Sequence, residues 1–389
     1  MRILAFSSCF PSARDPIHGV FVLRRLSALA KLAEVEVVHP MGWFPLYHPQ
    51  THLPDVGEER LGGLTVNHKR FFYIPSLLKR FDGRFYALGL ERWTRAHCEA
   101  RRPDLLDAQF EWPDAVGVSI LARRLGLPYT VTLRGTINSR YQIRCFRHRL
   151  AEALRCAAAV ISVSRPMADI AVELGVDPQR VRVIPNGVDV ALFNIASREQ
   201  SREQAELPVS GRLIVSVGSL NYEKGHEEVI QALSRLSPDV HLAIAGLSVD
   251  GGAYLRKLAG LAANCNVADR VRFVGSLSQE AVAALFNAAD VSVLASHREG
   301  CPNVVLESLA CGTPVVATAV GAVPDFVKPG ENGLIVPAKD PAALSEALAS
   351  ALATSWSREA VRQSVAARSW DKVAAEVLSV FGSVLTGEG

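Results

Sequence analysis

Short apolar runs alternate along this chain with longer segments whose apolar positions recur at helical spacing. In the first half the runs at 2–7, 34–39, 64–74, 103–107, 128–133, 157–163 and 180–185 read as strands. In the second half the same pattern returns at 213–218, 240–245, 271–274, 290–296, 314–318 and 334–336. Between them, Val22, Leu23, Leu26, Leu29 and Leu32 share one helical face. Further helices are predicted over 85–101, 224–236, 253–264, 279–289, 341–352 and 370–384. Asp340 caps the 341–352 helix and Pro341 takes its first position. Two successive βα runs predict an α/β protein of two open, mainly parallel sheets with a cleft between them. Asn186-Gly187-Val188-Asp189 reads as a tight turn and Ala196 to Ser210 as a polar linker.

Composition narrows the class. The chain has 389 residues, enough for two cores, with 49% hydrophobic and 21% charged residues, ordinary for a soluble α/β protein. No apolar run reaches the ~18–20 residues of a membrane span, and the chain enters a strand pattern directly at its N-terminus, without the features of a signal peptide. Seven scattered cysteines show no metal-ligand spacing and suit a reducing cytoplasm. No two aspartates are spaced D-x-D and no G-x-S-x-G elbow is present, so neither a metal requirement nor a serine hydrolase is expected. The net charge of +3 is uninformative, but its distribution is uneven. Nine Lys and Arg face three acids between Lys69 and Arg102, interleaved with aromatic residues. That is the composition of a segment lying on an anionic membrane surface, and equally of an amphipathic helix burying Phe85, Leu88 and Trp93.

The stretch with the most chemistry is Glu299-Gly-Cys-Pro-Asn-Val-Val-Leu-Glu307. It follows a buried strand and opens a helix, with Pro302 expected at the first helical position and Gly312 just past the end. The backbone N–H groups of Asn303, Val304 and Val305 are then expected to lack helical partners and to form an anion site at the positive helix end. Glu307, about one and a half turns in, is placed to accept two vicinal ribose hydroxyls, and Glu299 lies in the loop on the ligand side. Lys224 follows a second strand in the loop Gly218-Ser-Leu-Asn-Tyr-Glu-Lys-Gly225, where its charge can meet a phosphate. His18-Gly19 opens a helix after the first strand, and Gly19 permits close backbone approach to a ligand. Arg134-Gly135-Thr136 follows another strand end, the usual ligand position in open α/β sheets.

Read whole, Ser296-His-Arg-Glu-Gly-Cys-Pro-Asn-Val-Val-Leu-Glu-Ser-Leu-Ala-Cys-Gly-Thr-Pro-Val-Val-Ala317 resembles the donor-site signature of family 4 glycosyltransferases, retaining enzymes of the GT-B fold. With Phe10-Pro, His18-Gly-Val-Phe-Val, Glu111-Trp-Pro-Asp and Thr132-Leu-Arg-Gly-Thr136, the likeness is greatest to the teichuronic-acid-biosynthesis type. The resemblance implies two facing Rossmann-like domains. Residues 1–186, with a final helix over 369–389 crossing back, would bind the acceptor, and 187–368 would bind the nucleotide sugar. It also implies that Glu299 meets the transferred sugar and Glu307 the ribose. The backbone of Gly300, Cys301, Asn303, Val304 and Val305 would meet the diphosphate together with Lys224, and Gly19 would face the donor. His18 and Arg134 would lie on the acceptor side.

Two departures matter. Many relatives carry an arginine where this chain has Ser219, and a histidine where it has Arg134. Arg134 is therefore expected to supply the second phosphate cation, with Arg298 the weaker candidate. An arginine cannot serve as a base near neutral pH, which favours front-face displacement in which the leaving phosphate takes the acceptor proton. The implied function is transfer from a UDP- or GDP-sugar to a saccharide or lipid-linked acceptor in surface polysaccharide synthesis. No cofactor and no nucleic acid enter; the setting is the cytoplasm, at the inner membrane face if the basic stretch meets lipid. A nucleotide-sugar 2-epimerase of the same architecture and a non-catalytic assembly protein are the alternatives.

Overall fold

The computed structural model describes residues 1–44, 55–74, 78–207, 210–248 and 250–387. The chain forms two α/β units, Met1–Asn186 with Trp370–Gly389, and Gly187–Ser369.

The first unit is built on eight strands: β1 (Arg2–Phe6), β2 (Glu34–Trp43), β3 (Gly57–Leu61), β4 (Leu64–Phe72), β5 (Leu105–Ala108), β6 (Tyr129–Leu133), β7 (Ala159–Ser162) and β8 (Val181–Val183). Their order is β3-β4-β2-β1-β5-β6-β7-β8. All neighbours are parallel except β3 with β4. The four-residue strands β5 and β7 and the five-residue β6 are buried throughout, because helices cover both faces of a parallel sheet. The last helix, Trp370–Thr386, joins this unit. It packs Trp370, Val373, Ala374, Val377 and Phe381 into the core that holds Val22, Leu26 and Leu29 of the Val20–Leu29 helix.

The second unit has β9 (Arg212–Val217), β10 (Val240–Ala245), β11 (Val271–Gly275), β12 (Val291–Leu294), β13 (Val315–Thr318) and β14 (Gly333–Val336), in the order β11-β10-β9-β12-β13-β14, parallel throughout. In both sheets the strand order reverses beside the first strand, between β1 and β5 and between β9 and β12. Open α/β sheets take ligands outside the carboxyl ends of such strands.

Two sequence expectations are corrected. The connection between the runs read as strands at 34–39 and 64–74 is partly sheet: β2 runs on to Trp43, and β3 turns back onto β4 through Gly62 and Gly63, both at positive φ. The rest of that connection, residues 45–54, lies outside the described residues. The stretch read as linker contains the helix Arg198–Gln204, whose buried Arg202 pairs with Asp290 at 2.8 Å. Its polar composition conceals a buried ion pair, which periodicity cannot reveal. The helix Arg144–Arg155 buries Phe146, Leu150 and Leu154 and leaves Arg144 and Arg155 exposed.

Candidate active site

In the second unit, three loops leave the carboxyl ends of β9, β12 and β13 and close on one another. The loop after β9 ends at Gly225, whose φ of +66° and tight packing admit no side chain: a Cβ there would lie 2.0 Å from the Ala295 carbonyl oxygen. Gly321, after β13, is equally constrained, with a Cβ position 2.3 Å from the Gly300 oxygen. The Gly300 carbonyl in turn accepts a hydrogen bond from the Ala322 N–H at 2.9 Å. Backbone contact on both sides therefore holds Ala295–Gly300 in place.

The side chains that meet there are those the sequence singled out. Lys224 Nζ donates to Glu299 Oε1 at 2.5 Å, with the two side chains 26% and 11% exposed. Ser296 Oγ donates to the same oxygen at 2.8 Å, and the Ser296 carbonyl is held by Thr318 Oγ1 at 2.6 Å. Ser219 is exposed, and Arg298 pairs with Glu223 at 3.4 Å. Gly300 is buried, while Cys301, Asn303, Val304 and Glu307 are half-buried.

The helix Asn303–Ala310 starts one residue later than expected, with Pro302 as its N-cap. The Val305 N–H, expected to lack a helical partner, donates to the Pro302 carbonyl at 3.2 Å. A tight first turn of this kind is common at helix starts. The helix is bolted to β12 by a 2.7 Å bond between Ser308 Oγ and Ser292 Oγ.

His226 was not anticipated. It opens the His226–Leu233 helix and is fully buried, and burial pushes its pKa down to about 4, so the ring is neutral. Nε2–H donates to the Ser219 carbonyl at 3.3 Å, leaving Nδ1 to accept from Ser216 Oγ at 3.1 Å. The imidazole thus fixes the backbone at the head of the lysine loop. A histidine directly after Lys-Gly was the available signal.

The first unit gathers its own cluster at the ends of β1, β5 and β6. Glu111, fully buried, accepts from the N–H groups of Arg134 (2.8 Å) and Gly135 (3.0 Å) and from Thr136 Oγ1 (2.6 Å). It shapes the turn that carries Arg134. The Arg134 guanidinium is buried: Nε donates to the Gln109 carbonyl at 3.0 Å, one terminal nitrogen to Gln109 Oε1 at 2.7 Å and the other to Asn186 Oδ1 at 3.3 Å. Burial, then the neighbouring Arg25 cation, pushes its pKa down to about 9. Within this unit Arg134 staples the segments following β5, β6 and β8, with three of its five N–H bonds committed.

His18 is exposed and pairs with Cys9 Sγ at 3.3 Å. Burial and the nearby Asp114 raise the Cys9 thiol to about 12, so the sulfur keeps its proton near neutral pH. Gly19 has φ +81° and a Cβ position 2.5 Å from the Cys9 oxygen, so the turn itself requires glycine. Asp114, wholly buried, accepts from the Ser8 N–H at 3.0 Å, and burial raises it to about 7.

Residues 18–192 match the family described as Glycosyltransferase Family 4, and residues 197–370 match Glycosyl transferases group 1. A teichuronic acid biosynthesis glycosyltransferase of Bacillus subtilis (strain 168), TuaC, is 28% identical over 369 residues, 90% of this chain and 88% of that protein. A D-inositol 3-phosphate glycosyltransferase of Xylanimonas cellulosilytica is 34% identical over 241 residues, 59% of this chain and 58% of its own length. The chain thus spans under three-fifths of that relative. Among solved structures, sucrose-phosphate synthase from Thermosynechococcus elongatus superposes with TM-score 0.80 at 24% identity, covering 99% of each chain. Anabaena HepE in complex with UDP and glucose gives TM-score 0.75 at 18% identity, over 98% of this chain and 100% of that one. These structural likenesses show the fold.

Proposed function

This chain belongs to the GT-B glycosyltransferases, with a family 4 domain followed by a group 1 domain, and from that premise we propose that it transfers a sugar, with retention at the anomeric carbon, from a UDP- or GDP-linked donor to a saccharide or lipid-linked acceptor of a surface polysaccharide. The observation that carries the reading is the Lys224–Glu299 pair, 2.5 Å apart at the β9/β12 reversal and continuous with the Asn303 helix start. A diphosphate is met by a cation and the positive end of a helix, and a sugar beside it by a hydrogen-bond acceptor; Lys224, the Asn303 helix start and Glu299 are groups of these three types.

In the proposed step the bond from the anomeric carbon to the phosphate oxygen breaks and its electron pair leaves with the nucleoside diphosphate. The acceptor hydroxyl attacks on the same face and its proton passes to the departing phosphate oxygen. Lys224 and the helix start stabilise the charge that grows on that oxygen, which lowers the barrier more than it tightens ground-state binding. Glu299 orients the sugar and Glu307 the ribose. Arg134 is proposed to add positive charge at the phosphate, and His18 and Arg134 to lie on the acceptor side. No metal is required in this scheme, because lysine, arginine and helix dipole meet the phosphate charge.

Support for a lipid-borne acceptor comes from the surface of the first unit. Arg80, Arg84 and Arg149 converge on the Phe81 ring at 4.8–5.9 Å, beside exposed Leu78 and Leu88. Among the described residues no helix is long and apolar enough to cross a membrane. The experiment is a thermal-shift panel of nucleotide sugars, UDP-sugars first, followed by a transfer assay with and without EDTA. One donor class is expected to raise Tm by mass action, with transfer surviving EDTA. Stabilisation by no nucleotide sugar, or isomerisation of the donor without acceptor, overturns the reading.

A further inference from the structure

The residue two positions before Glu299 is tied at three points to the lysine loop and the helix that follows it. The His297 N–H donates to the Glu223 carbonyl at 2.8 Å, and its Nε2 meets Glu228 Oε1 at 2.7 Å. Its ring stands edge-on to Tyr222, with centroids 4.6 Å apart. The side chains of His297 and Glu228 are 5% and 13% exposed. Tyr222 and Glu223 immediately precede Lys224, and Glu228 lies four residues beyond it. The histidine therefore sets the register between the segment that carries Glu299 and the segment that carries Lys224.

The first turn of the His226–Leu233 helix is a hub. His226 reaches the Ser219 carbonyl, Glu227 accepts from Tyr254 Oη (2.8 Å) and Lys257 Nζ (2.7 Å), and Glu228 reaches His297. Three adjacent side chains thus brace three different segments around one lysine. The His297 Nδ1 is buried without a hydrogen-bond partner among the described residues. A buried imidazole with an unpaired nitrogen lowers stability compared with a well-packed apolar residue, so loop stability alone does not account for it.

We propose that His297, oriented by Glu228, is a positioning residue for sugar transfer, fixing the Glu299 carboxylate against Lys224 and the sugar. This rests on the reading of Glu299 as the residue that meets the transferred sugar. His297 acts through the loop and touches no reacting atom. A displacement of about 1 Å at such a carboxylate can cost on the order of 100-fold in rate while leaving remote contacts intact. Ribose and diphosphate contacts made by Glu307 and the helix start lie outside the braced segment, and the Lys224 loop keeps its own hold through His226 and the Ser219 carbonyl, so nucleotide affinity is separable from turnover.

The test compares His297→Ala, His297→Gln and Glu228→Gln in the full chain. In His297→Gln the new amide nitrogen overlays Nε2 and keeps a donor for Glu228, so it is the rescuing variant. His297→Ala is expected to lower kcat by about 10- to 100-fold, with UDP or GDP affinity by calorimetry within about twofold and Tm nearly unchanged. His297→Gln and Glu228→Gln should each retain most of kcat. A wild-type kcat in His297→Ala overturns the proposal, as does a parallel loss of kcat, nucleotide affinity and Tm that glutamine does not repair. Should the wild type transfer no sugar, the proposed function falls, and hydrogen exchange still judges the brace. Faster exchange confined to 295–302 in His297→Ala supports it, and unchanged exchange there refutes it.

Discussion

Lys224 and Glu299 neutralise each other across 2.5 Å, so removing either changes the charge its neighbour presents to a ligand. Glu299→Ala leaves Lys224 free to serve phosphate alone. Nucleoside diphosphate affinity should hold or rise while kcat falls steeply. Glu307→Ala should do the reverse, weakening that affinity by about 1.5–3 kcal/mol, the range for hydrogen bonds to a charged group. Calorimetry and steady-state rates on both variants separate the roles; matched losses in the two would sink the assignment. Arg134 is a double case, because its side chain is committed to Gln109 and Asn186 while its charge is proposed to reach the phosphate. Arg134→Ala should lose both activity and Tm, since Gln109 and Asn186 lose a buried partner. Ser219→Arg added to it should restore part of the activity and none of the Tm. Full failure of that rescue would leave Arg134 as a staple only.

Among the elements, the Gly218–Gly225 loop is held by backbone contact that admits no side chain at its end. Gly225→Ala combines a positive φ with a Cβ 2.0 Å from the Ala295 oxygen. A strained backbone of this kind costs about 1–3 kcal/mol, or roughly 2–10 °C in a unit of this size. A melting curve within a degree of wild type would show that the loop relaxes freely. The Asp82–Ala100 helix buries Tyr86, Ala87, Leu90, Thr94 and Cys98, and leaves Leu88 62% exposed. The expected buried face of Phe85, Leu88 and Trp93 is thus displaced, and an apolar residue remains outside beside exposed Arg84. Lys79 is less available than its neighbours, being held by Tyr73 and by Asp82 at 3.9 Å. Vesicle co-sedimentation should therefore require anionic lipid, fall with salt, and weaken most on changing Arg80 and Arg84 to glutamate. Binding that ignores salt would exclude this surface.

For the whole molecule, the buried histidines set a pH dependence. His39 is held down at about 3 and His226 at about 4, each chiefly by burial, against 6.5 in the unfolded chain. Between about pH 4 and 6.5 the unfolded chain binds protons at these two positions that the folded chain refuses. Stability from each histidine is complete above 6.5 and is lost as pH falls toward its folded value. Asp114 works in the opposite direction: raised from 3.8 to about 7, it keeps a proton in the fold that the unfolded chain gives up, so its contribution declines as pH rises across that interval. His226→Gln keeps a donor for the Ser219 carbonyl and cannot titrate. It should flatten the rise of Tm between pH 4 and 6.5; an unchanged slope would show that His226 does not titrate differently in fold and unfolded chain.

The alternation of apolar runs and amphipathic segments determined by itself that this is a two-sheet α/β protein, because buried parallel strands and their covering helices differ in period. The same chain shows Lys224 and Glu299 in loops that follow strands and Glu307 in the helix after one of them, where ligand groups belong, since glycine, proline and strand punctuation are local signals. Tertiary structure decided what those residues touch. Asp290 gathers Arg202 from a stretch that reads as linker, His226 and Ser216 close a bond across a loop, and Glu111 reaches over 23 positions to shape the Arg134 turn. Such pairings join polar residues far apart in sequence, and hydrophobic periodicity carries no information about which buried polar group finds which partner. The late start of the Asn303 helix has the same origin: one 3.2 Å bond to Pro302 is a matter of backbone geometry. The order of the strands likewise depended on crossover connections, and it is that order which brings the loops after β9 and β12 together around Lys224 and Glu299.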